Sequence, residues 1–364
     1  MNERERVMAV LKGEKPDKTP WLADLSYLYT SMSLKGVLEE KYLGYEGYLE
    51  FYKDLGAGIY FYTPSLWKVE YTGGVEYLVH ENDGVNTFIY KTPKGNLRSQ
   101  MTYLPETYSW AYTEHFVKNI DDLRIMLYIF EHMMYRENFE EFNRIDKLWG
   151  GYGIPVPLAP VAVSALQKLL TRWAGVEKTI EIYTDYKDEL EYVIDAIQAS
   201  EDEVFDILAE SPAQVIEFPE NLSSEVTGRT FYQKYCMEYY SKRIKQLHDA
   251  GKFVAIHIDG MLQGCLPLLE KTGFDIAEAV TPAPVGDIEL EKLREEAGEK
   301  IIIWGGLPGA LFSPHYSEQM FESFLERIFK VFPPGSGFVL GVADQVPPDG
   351  LISRVKKVRE MIGY

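Results

Sequence analysis

The sequence predicts an α/β protein folded as a single (β/α)8 TIM barrel over residues 1–364, with a small β-rich hairpin insertion at about 67–115, after the second strand. Three observations carry this expectation. Short apolar, strand-like runs start at Pro20, Ile59, Gly151, Gln214, Phe253, Asp275, Lys300 and Gly337. Helix-patterned segments separate them, and strands joined through crossover helices must pair in parallel. The first run leads into Asp24-Leu-Ser-Tyr rather than the glycine cluster of an open nucleotide-binding sheet. A chain of 364 residues has room for two or three domains, but one enlarged barrel accounts for it as well.

The elements follow in order. Glu3–Lys12 reads as an opening helix stopped by Gly13 and Pro16. Pro20–Asp24 and Ile59–Thr63 are the first two strands, with a helix between them ending at Leu55-Gly56. Val75–His80 and Thr87–Tyr90 are β-rich and lie among the turn signals Thr-Gly-Gly, Glu-Asn-Asp-Gly and Thr-Pro-Lys-Gly, so the insertion reads as a hairpin or small antiparallel sheet. Helical patterning resumes over Ile120–Asp146. Strands at Gly151–Leu158, Gln214–Phe218, Phe253–Ile258, Asp275–Val280, Lys300–Trp304 and Gly337–Val342 then alternate with helices. Among these, Val163–Gly175, Glu177–Leu208 and Phe231–Gly251 are the longer ones.

Composition excludes several classes. Hydrophobic residues are 46% and charged residues 26%, a globular balance rather than a disordered one. The net charge of −19 argues against a nucleic-acid backbone or an anionic membrane surface as partner, since both need clustered cations. Two cysteines, Cys236 and Cys265, build neither a disulfide framework nor a Cys-rich zinc module. No apolar signal segment opens the chain, and the longest nearly apolar run, Pro155–Leu166, falls short of the ~18 residues a membrane span needs. A cytoplasmic protein acting on a small molecule is expected.

In a barrel, active sites lie at the C-terminal ends of the strands. Those positions hold Asp24 on the first strand, Tyr62 on the second, Glu217 and Glu220 on the fourth, Glu278 on the sixth and Asp344 on the eighth. The fifth ends His257-Ile-Asp259, and residues two apart on a strand face one side. Imidazole and carboxylate both ligate zinc, so His257 and Asp259 are the candidate metal pair. Equally, Asp259 could fix the tautomer of His257. Asp24, Tyr62, Glu220, Glu278 and Asp344 are the candidate catalytic residues, and Glu220, Glu278 or Asp344 could complete a metal shell. The other histidines and both cysteines lie away from strand ends. Many of the 26 tyrosines cluster in and around the insertion, Tyr71, Tyr77 and Tyr90 among them. Such residues suit either a flat organic ligand or an amphipathic sheet packed on the barrel.

Several segments together resemble the uroporphyrinogen decarboxylase superfamily, which includes corrinoid-dependent methyltransferases. They are the opening Glu3–Pro20, the Thr92-Pro-Lys-Gly95 turn, and His257-Ile-Asp-Gly260 followed by Thr272-Gly-Phe-Asp275. Lys300–Gly306 and Val346-Pro-Pro-Asp349 complete the set. The similarity runs over essentially the whole length and implies a TIM barrel. The methyltransferase branch implies a zinc held by a His-x-Cys pair and a later Cys, activating a thiol that accepts a methyl group from methylcobamide carried on a partner corrinoid protein. His257 matches the first ligand, but Asp259 stands at the second position and no cysteine stands near Asp344. The decarboxylase branch implies arginines after the first strand, and none occurs before Arg98 in that stretch. The expectation is therefore a methyltransferase or demethylase component with zinc at His257 and Asp259. The alternatives are decarboxylation of a tetrapyrrole or smaller acid, and a non-catalytic corrinoid- or tetrapyrrole-binding protein.

Overall fold

The structure is a computed structural model that describes residues 1–61, 63–160 and 162–363. Five strands form a continuous parallel sheet in chain order: Val215–Leu222, Phe253–Ile258, Ile276–Val280, Ile302–Pro308 and Phe338–Ala343. Three shorter extended segments close it into a ring. Leu22 N–H donates to Leu340 O, Gly58 N–H to Trp21 O, Ile154 N–H to Ile59 O, and Glu217 N–H to Pro157 O. Parallel bridges Trp21–Leu340, Leu22–Gly58, Ile59–Gly153 and Leu158–Glu217 mark the same closure. The chain folds as a (β/α)8 TIM barrel, and all eight strands lie where the apolar runs predict them. Among the described residues, no helix is long and apolar enough to cross a membrane.

The barrel interior is filled from every strand, as this architecture requires. Leu22, Tyr60, Val156, Val215, Ala255, Ile276, Trp304 and Val339 belong to one buried cluster. Val7, Val10 and Leu11 of the first helix, Glu3–Leu11, join it. Val215 and Phe253, which begin their strands, are also in or against the cluster, so this helix plugs the N-terminal end of the barrel. Asn2 and Glu5 form a capping box that fixes its start. Outside, helices bury one stripe each. In Glu318–Val331 the buried residues are Phe321, Phe324, Leu325 and Ile328, the spacing of a single helical face.

The insertion is larger than a hairpin. Glu76–Asn82, Val85–Thr92, Gly95–Leu104 and Ser109–Glu114 form a four-stranded antiparallel meander. Its first turn is Asp83-Gly84, both at positive φ, the conformation a two-residue hairpin favours. Trp67–Tyr71 does not join it. That strand pairs antiparallel with Met133–Glu137, which splits the helix expected over Ile120–Asp146 into Ile120–Glu131 and Phe139–Trp149. The expected Glu177–Leu208 helix is likewise three, Gly175–Asp185, Lys187–Ser200 and Asp202–Glu210.

Strand parity decides what the fourth strand offers. Glu217 shares the inward face with Val215, whereas Phe218 and Glu220 face outward. Phe218 packs on the Tyr240 ring, and Glu220 sits on the same side, accepting from Val163 N–H beside the Tyr240 hydroxyl. The expectation of Glu220 in the barrel mouth is thereby corrected: it is fully buried behind the strand. Burial pushes its carboxyl up to about 7, partly offset by Tyr240 and Lys168. A raised acid keeps its proton in the folded state while the unfolded chain loses it near 4.5, so stability falls as pH rises from about 4.5 to 7. Glu220→Gln should match the parent below that window and exceed it above pH 7 by up to roughly 3 kcal/mol. Urea unfolding of both proteins at acidic and mildly alkaline pH checks this; equal slopes with pH would remove the claim.

Candidate functional site

The inward side chain two residues beyond the interior layer sets the mouth of the barrel. From Leu22, Val156, Val215, Ala255 and Ile276 this step leads to Asp24, Leu158, Glu217, His257 and Glu278. All five line one cavity of about 310 Å³ at the C-terminal ends of the strands. On the eighth strand the same step gives Gly341, where a Cβ would lie 2.8 Å from the Trp304 ring. Asp259 and Asp344 line the rim of the same cavity.

His257 and Glu278 are register partners on neighbouring parallel strands. Their side chains meet at 2.6 Å, His257 Nδ1 to Glu278 Oε2. The Tyr60 hydroxyl donates to the other oxygen, Glu278 Oε1, at 2.7 Å. On the opposite side of the ring, His257 Nε2 lies 3.6 Å from Asp344 Oδ1. Asp24 accepts from Ser26 N–H at 2.7 Å and from the Gln345 amide at 2.9 Å. Glu217 Oε2 is buried and has no hydrogen-bond partner among the described residues.

Carboxylates crowded away from water resist ionisation, and imidazole answers them. Burial pushes Glu217 well above the ordinary carboxylate range, and Glu278 adds to the push, while His257 opposes it. Burial also raises Asp24, against the hydrogen bonds from Ser26 and Gln345. Asp344 is pushed up to about 7 by burial, with His257 pulling it down and Glu278 pushing it up. For His257, burial works downward, but the Glu278 carboxylate beside it, then Asp344 and Glu217, carry it up to about 10. Burial and the neighbouring Glu278 charge raise the Tyr60 phenol, which therefore stays a hydrogen-bond donor.

Two chemical capacities follow from this arrangement. Ligand atoms of Glu217, His257 and Glu278 lie within 4.8 Å of one another, close enough to share a cation. Proton transfer near neutral pH is open to Asp344, which is 40% exposed at the cavity edge. Among the described lining residues there is no lysine or arginine.

The structure brings together Asp24, His257, Glu278 and Asp344 from the sequence candidates. Asp259 is exposed at the rim and outside the Glu217–His257–Glu278 group. The strand ends at Ile258, so the two-residue alternation that would pair Asp259 with His257 stops one residue short. Glu220 lies behind the wall, and Tyr62 falls outside the described residues. Glu217 as a metal-binding candidate and Tyr60 as the hydroxyl that holds Glu278 were missed. Counting by two from the apolar Val215 was the signal that could have found Glu217.

Comparisons place this chain in a family. Residues 156–363 match the sequence family described as uroporphyrinogen decarboxylase (URO-D). A methyltransferase from Methanosarcina mazei has a similar structure, with a TM-score of 0.63, 14% identity and coverage of 100% of each chain. An octameric ribulose-1,5-bisphosphate carboxylase/oxygenase from Pyrococcus horikoshii OT3 is matched at a TM-score of 0.28 and 11% identity, over 68% of this chain and 48% of that one. No curated protein matches the sequence. The family match spans more than half of the sequence and includes four of the five residues of the inward layer, and on that ground the chain belongs to the uroporphyrinogen decarboxylase family.

Proposed function

We propose that this protein transfers a methyl group between a small molecule and a corrinoid carried by a partner protein, with a divalent cation held by Glu217, His257 and Glu278. The observation that carries the reading is the convergence of those three ligand atoms within 4.8 Å at the barrel mouth. The residues fit such an ion. One imidazole with carboxylate oxygens is a donor set that zinc accepts, and a buried carboxylate oxygen without a partner, as in Glu217, calls for a cation or a proton. The thiolates implied by the methyltransferase branch have no counterpart here. Cys236 and Cys265 are buried on or beside helices, Cys236 next to Ser164 behind the fourth strand.

Zinc bound at this site supplies Lewis acidity toward a thiol or a methoxyl oxygen. The protein's own groups orient and move protons. Glu278 fixes the plane of His257, and the Tyr60 hydroxyl fixes Glu278. Asp344, at the cavity edge 3.6 Å from the His257 ring, takes the proton a thiol releases or returns one to a leaving oxygen. The charge of the wall favours this reading over decarboxylation of a polycarboxylate. Such a substrate would bring more negative charge to five acidic side chains with no arginine or lysine among the described lining residues.

Zinc titrated into chelator-stripped protein is expected to saturate at about one ion per chain. Glu217→Gln and His257→Ala should each weaken binding by at least about tenfold, and Asp259→Asn by less than about twofold. Calorimetry with elemental analysis measures both; identical binding in all variants would remove the metal from the proposal. Free methylcobalamin with a small thiol tests the reaction. The methylcobalamin absorbance should decay on the zinc-loaded enzyme and persist after chelation or in His257→Ala. Chelator-insensitive CO₂ release from a carboxylic acid would point to decarboxylation instead. A spectral shift without turnover would reduce the protein to a binding module.

A further inference from the structure

A second cavity, of about 390 Å³, lies between the inserted segment and the helices that follow the third barrel strand. Among the described residues, it shares no lining residue with the mouth of the barrel. Its walls come from distant parts of the chain. Trp67 and Tyr71 lie on the strand paired with Met133–Glu137, Tyr77 and Tyr90 on the meander, and Arg172 and Trp173 on a π-helical turn, Leu169–Trp173. The rings are mutually ordered. Tyr90 stacks on Trp173 with centroids 5.4 Å apart, Tyr77 lies 4.7 Å from Tyr90, and the Tyr71 and Tyr90 hydroxyls are 3.2 Å apart.

The charges in this cavity leave one cation over. Glu201, buried at 1% exposure, is the single acid among the described lining residues, and Lys168 holds it at 3.0 Å. Lys168 also donates to the carbonyls of Ala162 and Val163, and the other oxygen of Glu201 accepts from the Tyr239 hydroxyl, so the two charges offset each other. Arg172 has no ion-pair partner among the described residues; its guanidinium reaches the Tyr77 hydroxyl, and its buried Nε has no hydrogen-bond partner among those residues. Its charge is felt by Tyr71, Tyr77 and Tyr90, whose phenols burial pushes up and Arg172 partly restores. Interior packing ordinarily leaves few voids larger than a water molecule, and buried guanidinium donors are ordinarily paired. An amphipathic sheet merely seated on a barrel explains neither the size of the cavity nor a cation left without an acid among the described residues. Cavities of this volume, mostly aromatic with a few convergent polar groups, are the form that small-molecule sites take.

We propose that this cavity binds a flat aromatic carboxylate, its ring among Trp67, Tyr77, Tyr90 and Trp173 and its carboxylate on the Arg172 guanidinium. Planar anions match arginine because the fork presents parallel N–H donors, and aromatic walls supply stacking area. The size admits a bicyclic ring with one acid group. The site is separate from the methyl-transfer reading, which neither requires it nor supplies it.

The test uses 2-naphthoate on the full-length protein, followed by calorimetry and by tryptophan fluorescence, since Trp67 and Trp173 both face the cavity. Saturable binding is expected, at least about tenfold tighter than for the uncharged 2-naphthamide, the usual scale of a lost charge-assisted pair. Arg172→Gln should abolish that preference, Arg172→Lys should recover part of it, and His257→Ala should bind as the parent does. No saturation at millimolar ligand, equal affinity for acid and amide, or indifference to Arg172→Gln overturns the proposal, as does loss of binding in His257→Ala. Should Arg172→Gln unfold, the acid-to-amide comparison on the unaltered chain decides alone.

Discussion

The imidazole of His257 against the carboxylate of Glu278 is the contact on which the mouth of this barrel depends. Five acidic side chains face a cavity of about 310 Å³, and His257 is the one basic side chain among its described lining residues. Like charges packed away from water raise one another's pKa, and a neighbouring cation or hydrogen-bond donors oppose that rise. Register places the two residues side by side on adjacent strands, so the pair is set by the sheet itself rather than by a mobile loop. Tyr60 reaches across from the second strand to hold the far oxygen, which leaves Glu278 one orientation. Glu217 and Asp344 then feel both members, and their raised values follow from how far each lies from the imidazole and from water.

Much of this was legible in the sequence because a strand has a period of two and a barrel has one active face. Apolar runs bounded by glycine and proline located the eight strands, and their ends named Asp24, His257, Glu278 and Asp344. The errors arose where alternation was applied beyond the pleat or without fixing its phase. Asp259 follows the last strand residue, and Glu220 is an odd number of positions from Glu217, so it faces the opposite side. The strand Met133–Glu137 was hidden for a different reason. Its partner, Trp67–Tyr71, lies some sixty residues earlier, and no local window reveals a pairing of that separation. The π-helical turn that carries Arg172 and Trp173 is equally invisible to a 3.6-residue period.

The two cavities have opposite charge for structural reasons. Inward strand positions create the mouth, where consecutive strands contribute acids and the one imidazole. The lateral cavity forms where an inserted sheet meets helices, and there Lys168 and Arg172 outnumber Glu201. A net charge of −19 therefore does not make every surface of this protein hostile to anions. The barrel mouth repels them, and the space beneath the insertion is where an anion finds a counter-charge.

Family membership fixes the frame but leaves the chemistry to the residues standing in it. The barrel delivers the ends of its strands to one face whatever their side chains, and here that face presents the nitrogen and oxygen donors of Glu217, His257 and Glu278. Oxygen donors leave more positive charge on a bound ion than thiolates do, and such an ion polarises an oxygen or a thiol more strongly. In a mouth without arginine, that ion would also be the strongest attraction available to a substrate. Under the proposed reading, substrate choice would be tied to the same three side chains that would hold the metal. A neutral molecule with one donor atom fits the charge of that mouth, whereas a polyanion must first overcome the repulsion of its walls.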